Sequence, residues 1–128
     1  LLAPGAAGED GCLNMYEIFN LKLNAEMVVL SACNSGLGKF SRGEGLIGLS
    51  RAFRYAGVPN IVASLWWVDD ASTALLMPRF YAWLKAGFKK SVALQKAKID
   101  LIQMTAPGAK PAMRNPFYWA PFVLMGNE

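Results

Sequence analysis

Two short apolar runs, Ala25 to Ala32 and Ile61 to Trp67, flank a segment in which Leu46, Leu49, Phe53 and Ala56 recur at helical spacing. The first run is apolar without interruption over Met27 to Leu30 and carries the adjacent valines Val28 and Val29, so it lacks the alternation of a strand with one wet face. It reads as a central parallel strand, buried on both faces. Gly57, just before Val58 and Pro59, is a stop signal for a helix predicted over Gly45 to Ala56. Strand, helix and strand in this order make a βαβ unit, whose crossover is right-handed and whose two strands run parallel. Strands of that kind need neighbours on both sides, so an apolar edge is expected near the first one.

The flanks add helices. Leu1 to Leu13 is rich in Gly and Ala and reads as a loop, and Asn14 with Glu17 resembles a capping pattern for a short helix that ends before Lys22. Asp70 to Lys85 reads as a helix, with Pro78 predicting a kink or a break at Met77. Ser91 to Met104 follows as another. Thr105 to Pro116 contains three prolines and reads as a loop, and the aromatic, apolar stretch Phe117 to Met125 is expected to return as a last strand. There is no internal repeat.

With 128 residues, 54% of them hydrophobic, the chain fits a single domain over 1–128. Its apolar runs fall well short of the roughly 18 residues of a membrane span. The start, Leu1-Leu2-Ala3-Pro4, has neither an initiator methionine nor a signal-peptide pattern, and the chain reads as a piece of something longer. The net charge of +4 comes from scattered basic residues, with Lys89-Lys90 the one adjacent pair, which argues against a nucleic-acid partner. Two cysteines, Cys12 and Cys33, make no disulfide framework, and a chain without histidine offers no zinc set. No cofactor is expected, and the setting expected is cytoplasmic.

In an open parallel sheet, ligands bind beyond the carboxyl ends of the strands. Cys33 follows the end of the first predicted strand and Asp69-Asp70 the end of the second. Parallel pairing should therefore bring a thiol and two carboxylates to one edge, with Cys33 and Asp70 about 10 Å apart across a cleft. Two phosphate-binding look-alikes compete. Gly43-Glu44-Gly45-Leu46-Ile47-Gly48 fits GxGxxG, yet it stands too far after the strand for a dinucleotide turn. The run Cys33 to Phe40 imitates a P-loop, but Cys33 replaces its first glycine and Phe40 its magnesium-binding hydroxyl. Nucleotide binding is thus the weak alternative.

The residues also carry a family resemblance. Leu30-Ser31-Ala32-Cys33-Asn34-Ser35-Gly36, Gly43-Glu44-Gly45, Ser64-Leu65-Trp66 with Val68 and Asp70, Phe80-Tyr81 with Leu84, and Trp119-Ala120 before Phe122-Val123-Leu124 resemble the CHAT domain. The resemblance spans nearly the whole chain. It implies an α/β fold with a caspase-like, mostly parallel open sheet and helices on both faces, present here as a partial domain. It further implies a cysteine endopeptidase acting by a Cys/His dyad on protein or peptide substrates, often behind tetratricopeptide repeats. Cys33 stands at the nucleophile position. The family's histidine lies in a His-Gly motif on an earlier strand, and Leu1-Leu2-Ala3-Pro4 resembles the segment soon after it.

Each candidate has a plainer reading. Free cysteine packs as a small hydrophobe, and a thiol with a pKa of about 8.5 is only slightly ionised at neutral pH without a base. The chain by itself should not turn over substrate. Asp70 can serve the start of its own helix, or it can take a basic P1 side chain as the similar Leu-Trp stretch of separase-type peptidases implies. Asp69 is the lesser candidate for that contact. Trp66 and Trp67 point to opposite sides of a strand, so Trp66 can line a cleft or join the core. Ser31 stands where metacaspases carry an acid two residues before the nucleophile, which leaves a basic preference resting on Asp70. Caspases carry Gln-Ala-Cys with glycine two residues later, where this chain has Ser35, so specificity for aspartate is not implied. The alternative function is a non-catalytic interaction or scaffold domain of the same fold.

Overall fold

The computed structural model of the chain describes residues 15–30, 42–65, 70–105 and 107–126. In chain order it has α1 (Met15–Asn20), β1 (Met27–Leu30), α2 (Arg42–Tyr55), β2 (Asn60–Ser64), α3 (Asp70–Lys85), α4 (Lys90–Ile102), a 3-10 turn (Pro111–Arg114), α5 (Pro116–Trp119) and β3 (Phe122–Gly126). The strands form one sheet in the order β1-β2-β3. β1 and β2 pair in parallel, from Met27 opposite Asn60 to Leu30 opposite Ala63, as the βαβ reading requires. β3 joins the other side of β2 antiparallel, with Ser64 opposite Phe122 and Asn60 opposite Gly126. The result is a mixed α/β sheet, consistent with part of a caspase-like domain.

Side-chain alternation along the strands builds two separate cores. Val62 and Phe122, with Met27, Val29 and Leu124 beside them, face α3 and α4 and pack on Leu76, Phe80, Ala93, Leu94, Ala97 and Leu101. Ile61 and Ala63, with Val28, Leu30 and Met125 beside them, face α1 and α2 and pack on Ile18, Ala52, Phe53, Ala56 and Val58. Helices therefore cover both faces. β2 is buried through its first four residues, whereas β1 is only half-buried throughout. Among the described residues β2 is the strand paired on both sides, and β1 has no strand on its outer side, the side on which an apolar edge is expected.

α2 begins at Arg42, so the Gly43 to Gly48 pattern lies inside a helix and not in a strand-to-helix turn. It does not form the strand-to-helix turn that a dinucleotide site requires. The helix ends at Gly57, whose φ is +106°. The Gly57 N–H bonds to the Arg54 carbonyl and the Val58 N–H to the Phe53 carbonyl, the paired bonds of a Schellman ending. A Cβ on Gly57 would lie 2.7 Å from the Leu23 carbonyl oxygen, so the position excludes a side chain as well as requiring positive φ.

Three expectations change. α3 runs from Asp70 to Lys85 through Pro78 without a break. Proline removes the bond to the carbonyl four residues back, and both Pro78 and Ala74 are exposed, so water can satisfy the freed oxygen. The region expected to be a loop from Thr105 to Pro116 contains the 3-10 turn. The first part of the expected last strand is α5, which Pro116 opens at N1 while the Asn115 side chain accepts the Phe117 N–H. That local cap outweighs the strand preference of Phe117, Tyr118 and Trp119, and β3 starts only at Phe122.

Candidate functional site

The parallel register sends β1 and β2 out of the sheet at the same edge, because Leu30 lies opposite Ala63 and β2 ends one residue later. Cys33 comes three positions after Leu30 in sequence. Cys33, Ser31, Trp66 and Asp69 lie outside the described residues, as does Cys12. Asp70 is described: it is exposed and opens α3, where its carboxylate favours the positive end of the helix dipole.

The antiparallel neighbour completes this edge. The Leu65 N–H donates to the Pro121 carbonyl over 2.9 Å, which carries the ladder one step beyond Ser64 and fixes the approach of α5. Leu65 and Phe117 are exposed there, and Phe117 meets Tyr118 edge to face. Trp119 Nε1 donates to the Arg114 carbonyl, and Arg114 Nε to the Ile102 carbonyl at the end of α4. These bonds, linked through the chain from Trp119 to Pro121, connect the α4 terminus to the end of β2.

At that α4 terminus sits a buried charge. Asp100 is 8% exposed. Its Oδ2 accepts from Arg79 Nε at 2.8 Å and from Trp83 Nε1 at 2.7 Å, and its Oδ1 accepts from Thr105 Oγ1 at 2.9 Å. Burial raises its pKa, but the hydrogen bonds from Arg79, Trp83 and Thr105, with the Arg79 charge, outweigh it and hold the carboxyl below its ordinary value. Lys96 lies 4.8 Å from the Trp83 ring centre and 4.7 Å from that of Phe88, and Arg79 stacks over Trp83 from 5.5 Å. The group joins α3, α4 and the turn that follows α4 at Thr105.

Sequence reading passed over Asp100, Arg79, Trp83, Thr105 and Lys98. One signal was available for Asp100. The buried residues Ala93, Leu94, Ala97 and Leu101 form a stripe on α4, and position 100 falls on it. A carboxylate on an apolar stripe requires a buried partner. Nothing comparable marks Lys98, whose Nζ donates to the Phe122 carbonyl.

Among the described residues, no helix is long and apolar enough to cross a membrane. Comparison with known proteins accounts for the architecture. The family model described as CHAT domain matches residues 1–127. Tetratricopeptide repeat protein 28 of Mus musculus is 31% identical over 116 residues, and that of Homo sapiens 32% identical over the same length. Those matches cover 91% of this chain and 4% of each relative, so the chain corresponds to a small part of the curated relatives' length. Their names mark them as tetratricopeptide repeat proteins. With the family model matching almost end to end and the mixed α/β architecture in agreement, the chain belongs to the CHAT domain family.

Proposed function

We propose that this chain is the nucleophile-bearing part of a cysteine endopeptidase, with Cys33 attacking the peptide carbonyl of a protein substrate. The observation that supports this reading is the parallel β1/β2 register: both strands end at one edge of the sheet, and in sequence Cys33 follows the first and Asp70 the second. The Cys33 thiolate would add to the carbonyl carbon, the amine would leave with a proton from the conjugate acid of the base, and water would then hydrolyse the thioester. Since the sequence contains no histidine, the base in this reading comes from elsewhere in the parent protein. Backbone N–H groups beside Cys33 would hold the oxyanion. Asp70, with Ser31, Trp66 and Asp69 around it, would form the substrate contacts, with Asp70 favouring arginine or lysine at P1. Tetratricopeptide repeats, as in the relatives' names, would precede this part in the parent.

The test is labelling of the full-length protein with an electrophilic peptide bearing arginine at P1. Labelling should be lost in Cys33→Ala, and Asp70→Asn should weaken it for basic peptides more than for neutral ones. Equal labelling of the wild type and Cys33→Ala removes the nucleophile. The competing reading is a non-catalytic interaction domain of the same fold, which needs no base. Absence of labelling in a folded full-length protein would decide for it.

A further inference from the structure

Among the described residues β3 is the last strand on its side of the sheet, and its register specifies which backbone groups it leaves unpaired. Leu65 bonds to Pro121, so the pairs Leu65/Pro121 and Ala63/Val123 are the hydrogen-bonded ones of this antiparallel ladder, and Ser64/Phe122 and Val62/Leu124 lie between them. In those intervening pairs the backbone groups of Phe122 and Leu124 point away from β2. The strand sequence, FVLMG, is apolar and uncharged; Phe122 is buried and Val123 to Met125 are half-buried, and an apolar strand edge templates pairing with another chain wherever it is left uncovered.

One of those outward groups is occupied. Lys98 reaches from α4 and donates from Nζ to the Phe122 carbonyl. Among the described residues no carboxylate lies within ion-pair range of it. Its ammonium is half-buried, and desolvation lowers its pKa below the ordinary lysine value. A lysine free to extend into water would carry no such cost, so the contact with the strand edge is what Lys98 gains from its position.

We infer that Lys98 is an edge guard: its ammonium fills the outward carbonyl of Phe122, where the N–H of an added strand would bond, and so keeps β3 from pairing with a second copy of the chain. An adding strand would have to displace the ammonium and would find a positive charge beside its own backbone N–H groups. This inference does not depend on the proposed peptidase activity.

The experiment is sedimentation velocity on the full-length protein, combined with hydrogen exchange of the β3 amides. In the wild type the outward Leu124 N–H should exchange fast, while the inward Val123 N–H is protected. Lys98→Met, which keeps the apolar stem, should double the sedimenting mass and slow exchange at Leu124 at least about tenfold. Lys98→Arg should remain like the wild type. Lys98→Gln repeats the test with an uncharged polar side chain, so that poor folding of the methionine variant does not decide it. Methionine and glutamine variants that stay monomeric overturn the inference. So does association that leaves the Leu124 amide exchanging as before.

Discussion

On the α3/α4 side of the sheet a carboxylate is buried among Arg79, Trp83 and Thr105, whereas the described core on the α1/α2 side is wholly apolar and is closed by backbone contacts at Leu23 and Gly57. The two sides also end their helices differently. α2 and α3 both finish with glycine at positive φ, Gly57 at +106° and Gly87 at +97°, while α4 makes the same pair of bonds with Met104 at +57°. Methionine is strained in that conformation. Thr105 explains how it is held there: its N–H bonds to the Asp100 carbonyl and its Oγ1 to the Asp100 carboxylate, so the polar group fixes the residue after the strained one. The lesson is that the described core on one side is apolar and closed by backbone bonds, whereas the other adds a directional side-chain lock at the end of α4.

The largest expected effect tests what the two sides share. Phe80→Ala and Phe53→Ala remove fully or nearly buried rings from the two cores, and each should cost about 3–5 kcal/mol in denaturant unfolding. A much smaller loss for Phe53 would show that the α1/α2 side is not a core of equal weight. Next, Asp100→Ala strands the Arg79 guanidinium and the Trp83 N–H and should cost about 3 kcal/mol. Local exchange should then rise over the α4 terminus and residues 105–121 more than over α1 and α2, and a uniform rise would break the comparison.

Gly57→Ala is the counterpart on the apolar side. Left-handed strain and the close Leu23 carbonyl together should cost about 2 kcal/mol, read as a shift of the denaturation midpoint. The smallest effect has the opposite sign. Met104→Gly should relieve the strain at the end of α4 and stabilise by about 0.5–1 kcal/mol, and an unchanged midpoint would mean that Asp100 and Thr105 have already relaxed it.

The pH response separates the sides further. The Asp100 carboxyl has its folded pKa below the unfolded value of about 3.9, so its contribution is complete above that value and is lost as pH falls through the lowered folded pKa. Acid titration of the Asp100→Asn variant should therefore show a flatter stability profile below about pH 4 than the wild type. Equal slopes would assign the acid sensitivity to other carboxylates.

Much of the fold was legible from sequence because its signals are local. The helical spacing of Leu49, Phe53 and Ala56 and the stop at Gly57 located α2, and the bounds of α3 agree with the sequence reading at both ends. The parallel pairing of β1 and β2 followed from the strand-helix-strand order, because the intervening helix carries the chain back to start the second strand in the same direction. Of the candidate site, sequence marked Cys33, Ser31, Trp66, Asp69 and Asp70, and Asp70 alone lies among the described residues, at the start of α3. Only tertiary structure decided which strand is paired on both sides among the described residues, that β3 returns antiparallel, that Pro78 stays within a helix, and that Asp100 is buried and Lys98 half-buried. The reason is common to all four: each depends on how much water a group loses to neighbours distant in sequence, and local spacing carries no record of that loss.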